Sequence, residues 1–161
     1  HLQSMGVDAL WISPIFQMRT EKFNGHGAFH GYWQDNLDQI ERRFGDTQTL
    51  QKLSHEMKKK NIKLIMDMVY NHVSFDSPLV KSQPGWFHNN PSIQDWNDPK
   101  QLQQYNVHGL PDLDQSNPGV YNYLLKQSLY WQKQTFAQGF RIDAIRHMDN
   151  QFLTSLTVDL K

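Results

Sequence analysis

Cysteine is absent from the 161 residues. The fold therefore rests on no disulfide, which is neutral on compartment because secreted bacterial proteins often lack cysteine too. An excess of either charge is also missing, with 16 Lys and Arg against 16 Asp and Glu. Such a chain has no overall attraction for a phosphate backbone or an anionic lipid surface, so neither a nucleic-acid partner nor a membrane partner is expected. The one basic run, Lys58-Lys59-Lys60, falls in the last turn of an expected helix, where cations complement the macrodipole. No apolar stretch is long enough for a transmembrane helix, and no signal peptide is visible. The opening His1-Leu2-Gln3-Ser4-Met5-Gly6 reads like the end of a helix, so the chain is expected to be a segment of something longer.

What is present is 38% hydrophobic and 12% aromatic residues. That is enough for the core of one ordinary domain.

Val7-Asp8-Ala9-Leu10-Trp11-Ile12-Ser13 is a mostly apolar run between Gly6 and Pro14, as a buried parallel strand would be. Residues 17 to 36 hold Gly25, Gly27 and Gly31 among aromatics and histidines, the composition of a functional loop. From Thr47 to Lys60, Leu50, Leu53 and Met57 recur at helical spacing behind Asp46 or Thr47 as cap. A second buried strand follows over Ile62 to Val69. Residues 73 to 117 carry Pro78, Pro84, Pro91, Pro99 and Pro111 and no sustained periodicity, predicting a long irregular excursion. Helical spacing returns at Val120, Tyr123, Leu124, Trp131 and Phe136 and stops at Gly139. A third strand is expected over Phe140 to Ile145, with another helix beginning near Asp149 or Asn150.

Three buried strands joined by helical crossovers imply a parallel sheet, either doubly wound or part of a (β/α)8 barrel. In both, functional groups collect at the carboxyl ends of the strands. A doubly wound nucleotide binder would need a Gly-rich turn between a strand and a helix. Gly25, Gly27 and Gly31 lie in mid-loop, so that signal is missing.

The second strand ends Asp67-Met68-Val69-Tyr70-Asn71-His72, and the third holds Arg141-Ile142-Asp143 with Arg146 and His147 beyond it. Residues two apart in a strand share a face, so Arg141 and Asp143 point the same way. A guanidinium beside a carboxylate favours the ionised form that a carboxylate nucleophile needs. Spacing alone leaves a plain alternative: a buried structural ion pair, with Asp67 capping a loop and His72 hydrogen-bonded in the packing.

These residues together are recognisable. Asp67 to His72 resembles the first signature of the α-amylase superfamily, glycoside hydrolase family thirteen, which reads D-x-V-x-N-H. Gly139-Phe140-Arg141-Ile142-Asp143-Ala144-Ile145-Arg146-His147 is similar to its second signature. Leu110-Pro111-Asp112-Leu113-Asp114 resembles the L-P-D-L-D motif of the domain that interrupts the family's barrel. Phe29-His30-Gly31-Tyr32-Trp33-Gln34 resembles its Y-H-G-Y-W loop, with Phe29 where Tyr is common.

The resemblance implies a partial (β/α)8 TIM barrel. Residues 1–72 would carry barrel strands two and three with the loop and helix between them, 73–117 the irregular inserted domain B, and 118–161 a helix, the fourth strand and the next helix. It implies retaining hydrolysis of α-1,4-glucosidic bonds in starch-like α-glucans, with Asp143 as nucleophile and Arg141 holding it. His72, Tyr32 and Asp67 would serve the central sugar, Arg146 and His147 the leaving-group side, and His30 and Trp33 the other side. Without the motif, Tyr32 and Trp33 read equally as packing. Asn71 and Asp112, with the His147 backbone carbonyl, match the family's Ca2+ positions, and an amide, a carboxylate and a carbonyl suit that hard cation. Asp95, Asn97 and Asp98 are candidates for further ligands, though exposed loop polarity is the stronger reading of them.

The family's general acid is a Glu after the fifth strand, followed by an Asp after the seventh, and no residue here matches either; Glu21, Glu41 and Glu56 stand outside the motif. The same motifs also fit a transglycosylase, a hydrolase of cyclodextrins or short α-glucosides, or a non-catalytic binding homologue. An extracellular or periplasmic setting is implied only by the family and its calcium.

Overall fold

The computed structural model describes residues 1–161 throughout. Three strands, β1 (Ala9–Ile12), β2 (Lys63–Met68) and β3 (Gly139–Ile142), form a parallel sheet in the order β1-β2-β3. Leu10 pairs with Leu64 across the first junction, and Asp67 with Arg141 across the second. All three strands end on the same side, so the segments following them meet there.

The strand that packs on both faces is β2. Leu64, Met66 and Met68 on its outer face are at most 1% exposed. They form the core with Leu50 and Met57 from helix α1 (Thr47–Lys59) and Leu124 and Trp131 from the later crossover helix. Trp131 donates its indole N–H to the Leu37 carbonyl at 2.6 Å, so its one polar atom is satisfied inside the core.

Asp46 caps α1, its Oδ1 accepting from the Thr49 N–H at 2.7 Å. The periodicity of α1 differs from expectation at one position: Ser54 is buried and Leu53 is 41% exposed. Leu53 faces a groove of about 380 Å3 beside β1, lined also by Ile12, Ile15, Ile40 and Phe44.

The excursion after β2 holds two short helices, α2 (Pro78–Ser82) and α3 (Pro99–Gln104), each starting with proline behind a capping side chain. Helix α4 (Pro118–Thr135) returns the chain to β3, capped by Asn117. Phe136, expected on the buried face of this helix, is instead its left-handed C-cap and is 59% exposed. The third strand is shorter than expected, ending at Ile142. Ala144 adopts φ +54°, which ends the extended run and turns Ile145 outward to 57% exposure. Asp149 caps α5 (Asn150–Asp159). No helix is long and apolar enough to cross a membrane.

Candidate active site

The register of the sheet places Asp67 and Arg141 directly opposite one another. Arg141 donates through Nη1 to both oxygens of Asp67 at 3.0 Å and to Oδ1 of Asp143 at 2.6 Å. Backbone pairing carries on past the end of β3, the Asp143 N–H donating to the Met68 carbonyl at 2.9 Å, and so fixes where the Asp143 side chain leaves the chain. Partial burial opposes the Arg141 charge, but the two carboxylates outweigh it and raise the pKa of this guanidinium.

Asp67 is 1% exposed and saturated with donors. Its Oδ2 accepts from the Trp11 indole N–H at 3.0 Å and the Tyr32 hydroxyl at 2.9 Å, besides Arg141. Burial first, then the bond to Asp67, pushes the Tyr32 hydroxyl up to about 12, so it stays a donor. The Asp143 side chain is 20% exposed. Its Oδ2 has no protein donor, whereas both oxygens of Asp67 are occupied. A carboxylate with one oxygen held by a guanidinium and the other open can attack an electrophilic carbon; one with both oxygens occupied can only orient.

His72 is buried, and its Nε2 lies 3.0 Å from the Tyr32 carbonyl. A carbonyl only accepts, so Nε2 carries the proton, and burial lowers the ring's pKa and keeps it neutral. Its Nδ1 has no partner. Gln34, also buried, donates to the Val69 and His72 carbonyls and ties the loop after β1 to the end of β2.

His30 accepts at Nδ1 from the Tyr32 N–H at 3.0 Å, stacks on Tyr32 at 5.9 Å and meets Trp33 edge-on at 4.8 Å. Burial lowers its pKa. Phe75 and Phe23, stacked at 3.7 Å, support Trp33 from behind. His147 donates from Nδ1 to the Leu102 carbonyl at 2.8 Å, and Arg146 donates to the Trp96 carbonyl at 3.3 Å, so both are tied to the excursion.

The L-P-D-L-D segment runs antiparallel to the residues after β2. His72 pairs with Asp112, and the Leu113 N–H donates to the Asn71 carbonyl at 2.8 Å. This brings Asp112, 1% exposed, beside Asn71, which is fully buried and whose amide oxygen has no hydrogen-bond partner. Burial pushes the Asp112 carboxyl up to about 6, against the His88 imidazole 2.7 Å from its Oδ2.

An orphaned amide oxygen next to a buried carboxylate fits an oxygen-ligated cation. No group of three His, Asp or Glu side chains is arranged to hold a metal ion, so a cation here would also need carbonyl oxygens. Asp95 and Asp98 do not join this group: Asp95 accepts from the Asn97 N–H, and Asp98 caps α3.

The structure thus brings together Asp143, Arg141, Asp67, Tyr32 and His72, with His30 and Trp33 packed beside Tyr32 and with Arg146 and His147 tied to the excursion. Trp11 joins them and was not singled out from sequence. In a strand its apolar ring reads as packing, and the only available signal was its parity: two residues before Ser13, on the inward side of β1.

Carboxylates and a guanidinium thus gather at the strand ends of a parallel sheet, under aromatic loops, where α/β folds carry their sites. Comparison with known proteins defines which fold this is. The family model described as the α-amylase catalytic domain matches residues 1–159, and the chain belongs to that family, as part of its (β/α)8 barrel. The cyclomaltodextrin glucanotransferase of Klebsiella oxytoca is 33% identical over 99% of this chain and 28% of its own length. α-Amylase 1 of Schwanniomyces occidentalis is 29% identical over 96% of this chain and 33% of its own length. Among solved structures, the α-amylase of Geobacillus thermoleovorans complexed with acarbose is 36% identical with a TM-score of 0.91, over 99% of this chain and 35% of that one. The chain therefore spans about a third of the length of these relatives.

Proposed function

We propose that this chain carries the nucleophile half of a retaining α-glucan hydrolase. The observation that supports it most is the single Arg141 nitrogen shared between Asp67 and Asp143 at the ends of adjacent strands. In this reading Oδ2 of Asp143 attacks the anomeric carbon as the bond to the glycosidic oxygen breaks, giving a glycosyl-enzyme ester that water then hydrolyses. Arg141 holds Oδ1 so that Oδ2 faces the sugar. Asp67 holds Arg141 and Tyr32. Tyr32 offers its ring to the apolar face of the central pyranose, and His72, neutral, borders the same sugar.

His30 and Trp33 then take the sugars on one side, and Arg146 and His147 those on the leaving-group side. Residues 73–117 act as the inserted domain B, which the ties from Arg146 and His147 and the pairing of Asp112 with His72 join to the barrel. Asn71, Asp112 and the His147 carbonyl would hold Ca2+, which would supply charge compensation to Asp112 where domain B meets the strand ends. The general acid comes from elsewhere than these residues. Glu41 is committed to Arg43 and the Met18 N–H, Glu56 to Lys59, and Glu21 is exposed.

Starch-like α-glucan is the proposed substrate, supported by relatives named as α-amylases and by the acarbose complex of a structural neighbour. Transglycosylation is the second reading, favoured by the identity to a cyclomaltodextrin glucanotransferase. Incubating the full-length protein with a long maltooligosaccharide and sizing the products separates the two: linear short products support hydrolysis, and cyclic or longer products support transfer. No cleavage at all would point to a binding homologue.

A further inference from the structure

Trp11 sits at a strand position where any apolar residue would satisfy the sequence pattern, yet its indole makes two polar contacts with residues of the neighbouring strands. Its ring lies on the inward face of the sheet, the face that also carries Asp67 from β2 and Arg141 from β3. Two separate contacts leave it. The indole N–H donates to Asp67 Oδ2 at 3.0 Å, and the face of the ring lies 4.9 Å from the Arg141 guanidinium carbon. One side chain thereby holds both members of the pair, the carboxylate from its N–H edge and the cation from its π face.

We infer that Trp11 is a positioning residue for the nucleophile. It acts through Asp67 and Arg141 on Asp143 and does not touch the reacting atoms; this deepens the hydrolase reading and rests on it. Arg141 reaches both oxygens of Asp67 through one nitrogen, and the further donors to Oδ2 fix the turn of the carboxylate about its terminal torsion. Tyr32 supplies one such donor from a loop, and Trp11 supplies the other from a strand. The strand-borne donor is tied to the sheet register and does not move when the loop does. If the Trp11 bond is lost, Asp67 follows Tyr32, Arg141 follows Asp67, and the 2.6 Å contact to Asp143 opens.

The test uses the full-length protein and two variants. Trp11→Phe keeps an aromatic face under the guanidinium and removes the N–H; Trp11→Leu removes both. We expect Trp11→Phe to lower kcat about tenfold, the order expected for one hydrogen bond to a charged group. KM should stay within about twofold, because a residue that touches no sugar leaves ground-state binding alone. Trp11→Leu should lose more of kcat, and in an Asp67→Asn background Trp11→Phe should cost little further. A Trp11→Phe protein with wild-type kcat would overturn the inference, as would a fall in kcat matched by a rise in KM and a lowered melting temperature. An inactive wild-type protein, or an Asp143→Asn variant as active as wild type, would instead remove the hydrolase reading beneath it.

Discussion

Nη1 of Arg141 lies 2.6 Å from Oδ1 of Asp143, two residues further along the same face of the chain. That contact engages one carboxylate oxygen and leaves its twin open, which is the asymmetry a carboxylate nucleophile requires. Asp143→Asn in the full-length protein is expected to cut α-glucan cleavage by about 10^4-fold or more, measured as reducing ends released from soluble starch. Arg141→Lys keeps the charge but not the planar fork, and about a 100-fold loss in kcat is expected from the displaced nucleophile.

Residues 1–161 alone are expected to release no reducing ends from starch, because no carboxyl group among them is placed to protonate the leaving oxygen. Residues 1–161 by themselves also leave one edge of β1 unpaired and expose Trp11 at 54% and the loop residue Phe29 at 80%. Self-association is the expected consequence, read as concentration-dependent light scattering.

If Asn71 and Asp112 hold Ca2+, removing the ion leaves an orphaned amide beside a buried carboxylate. Chelator treatment should lower the melting temperature of the full-length protein by about 5 °C, and added Ca2+ should restore it. Asp112→Asn should melt at the chelated temperature and ignore both treatments. Equal chelator sensitivity in the two proteins would take the ion away from this position.

Glu41 is buried, and the Arg43 side chain, followed by the Met18 and Arg43 N–H groups, holds its carboxyl below the ordinary 4.5. A depressed folded-state pKa means that the unfolded chain takes up the proton first. Glu41 therefore adds stability that is fully present above 4.5 and is lost as pH falls through the lower folded value. Urea unfolding from pH 6 down to pH 3 should show this loss in the wild type, and Glu41→Gln should flatten that part of the profile.

Most of this arrangement was legible in the sequence where local chemistry decides it. Asp46 and Asp149 cap helices because short polar side chains before apolar periodicity have few better options. Arg141 and Asp143 share a face because the strand period is two. The misreadings have a common cause. Leu53, Phe136 and Ile145 are apolar residues that packing leaves exposed, and apolar character says nothing about which face a neighbouring element covers. The turn at Ala144 is set by the chain leaving the sheet, since nothing in alanine favours a positive φ. Trp11 escaped notice because its partners are 56 and 130 residues away and become its neighbours only through strand register.

The most direct test of the central claim is to trap the glycosyl-enzyme ester. The full-length protein would be incubated with a fluorinated α-glucosyl fluoride, which forms the ester faster than it is hydrolysed, then digested and analysed by mass spectrometry. One fluoroglucosyl adduct is expected, on the peptide containing Asp143, and none in Asp143→Asn. An adduct on another carboxylate, or turnover of the reagent with Asp143 unmodified, would contradict the claim.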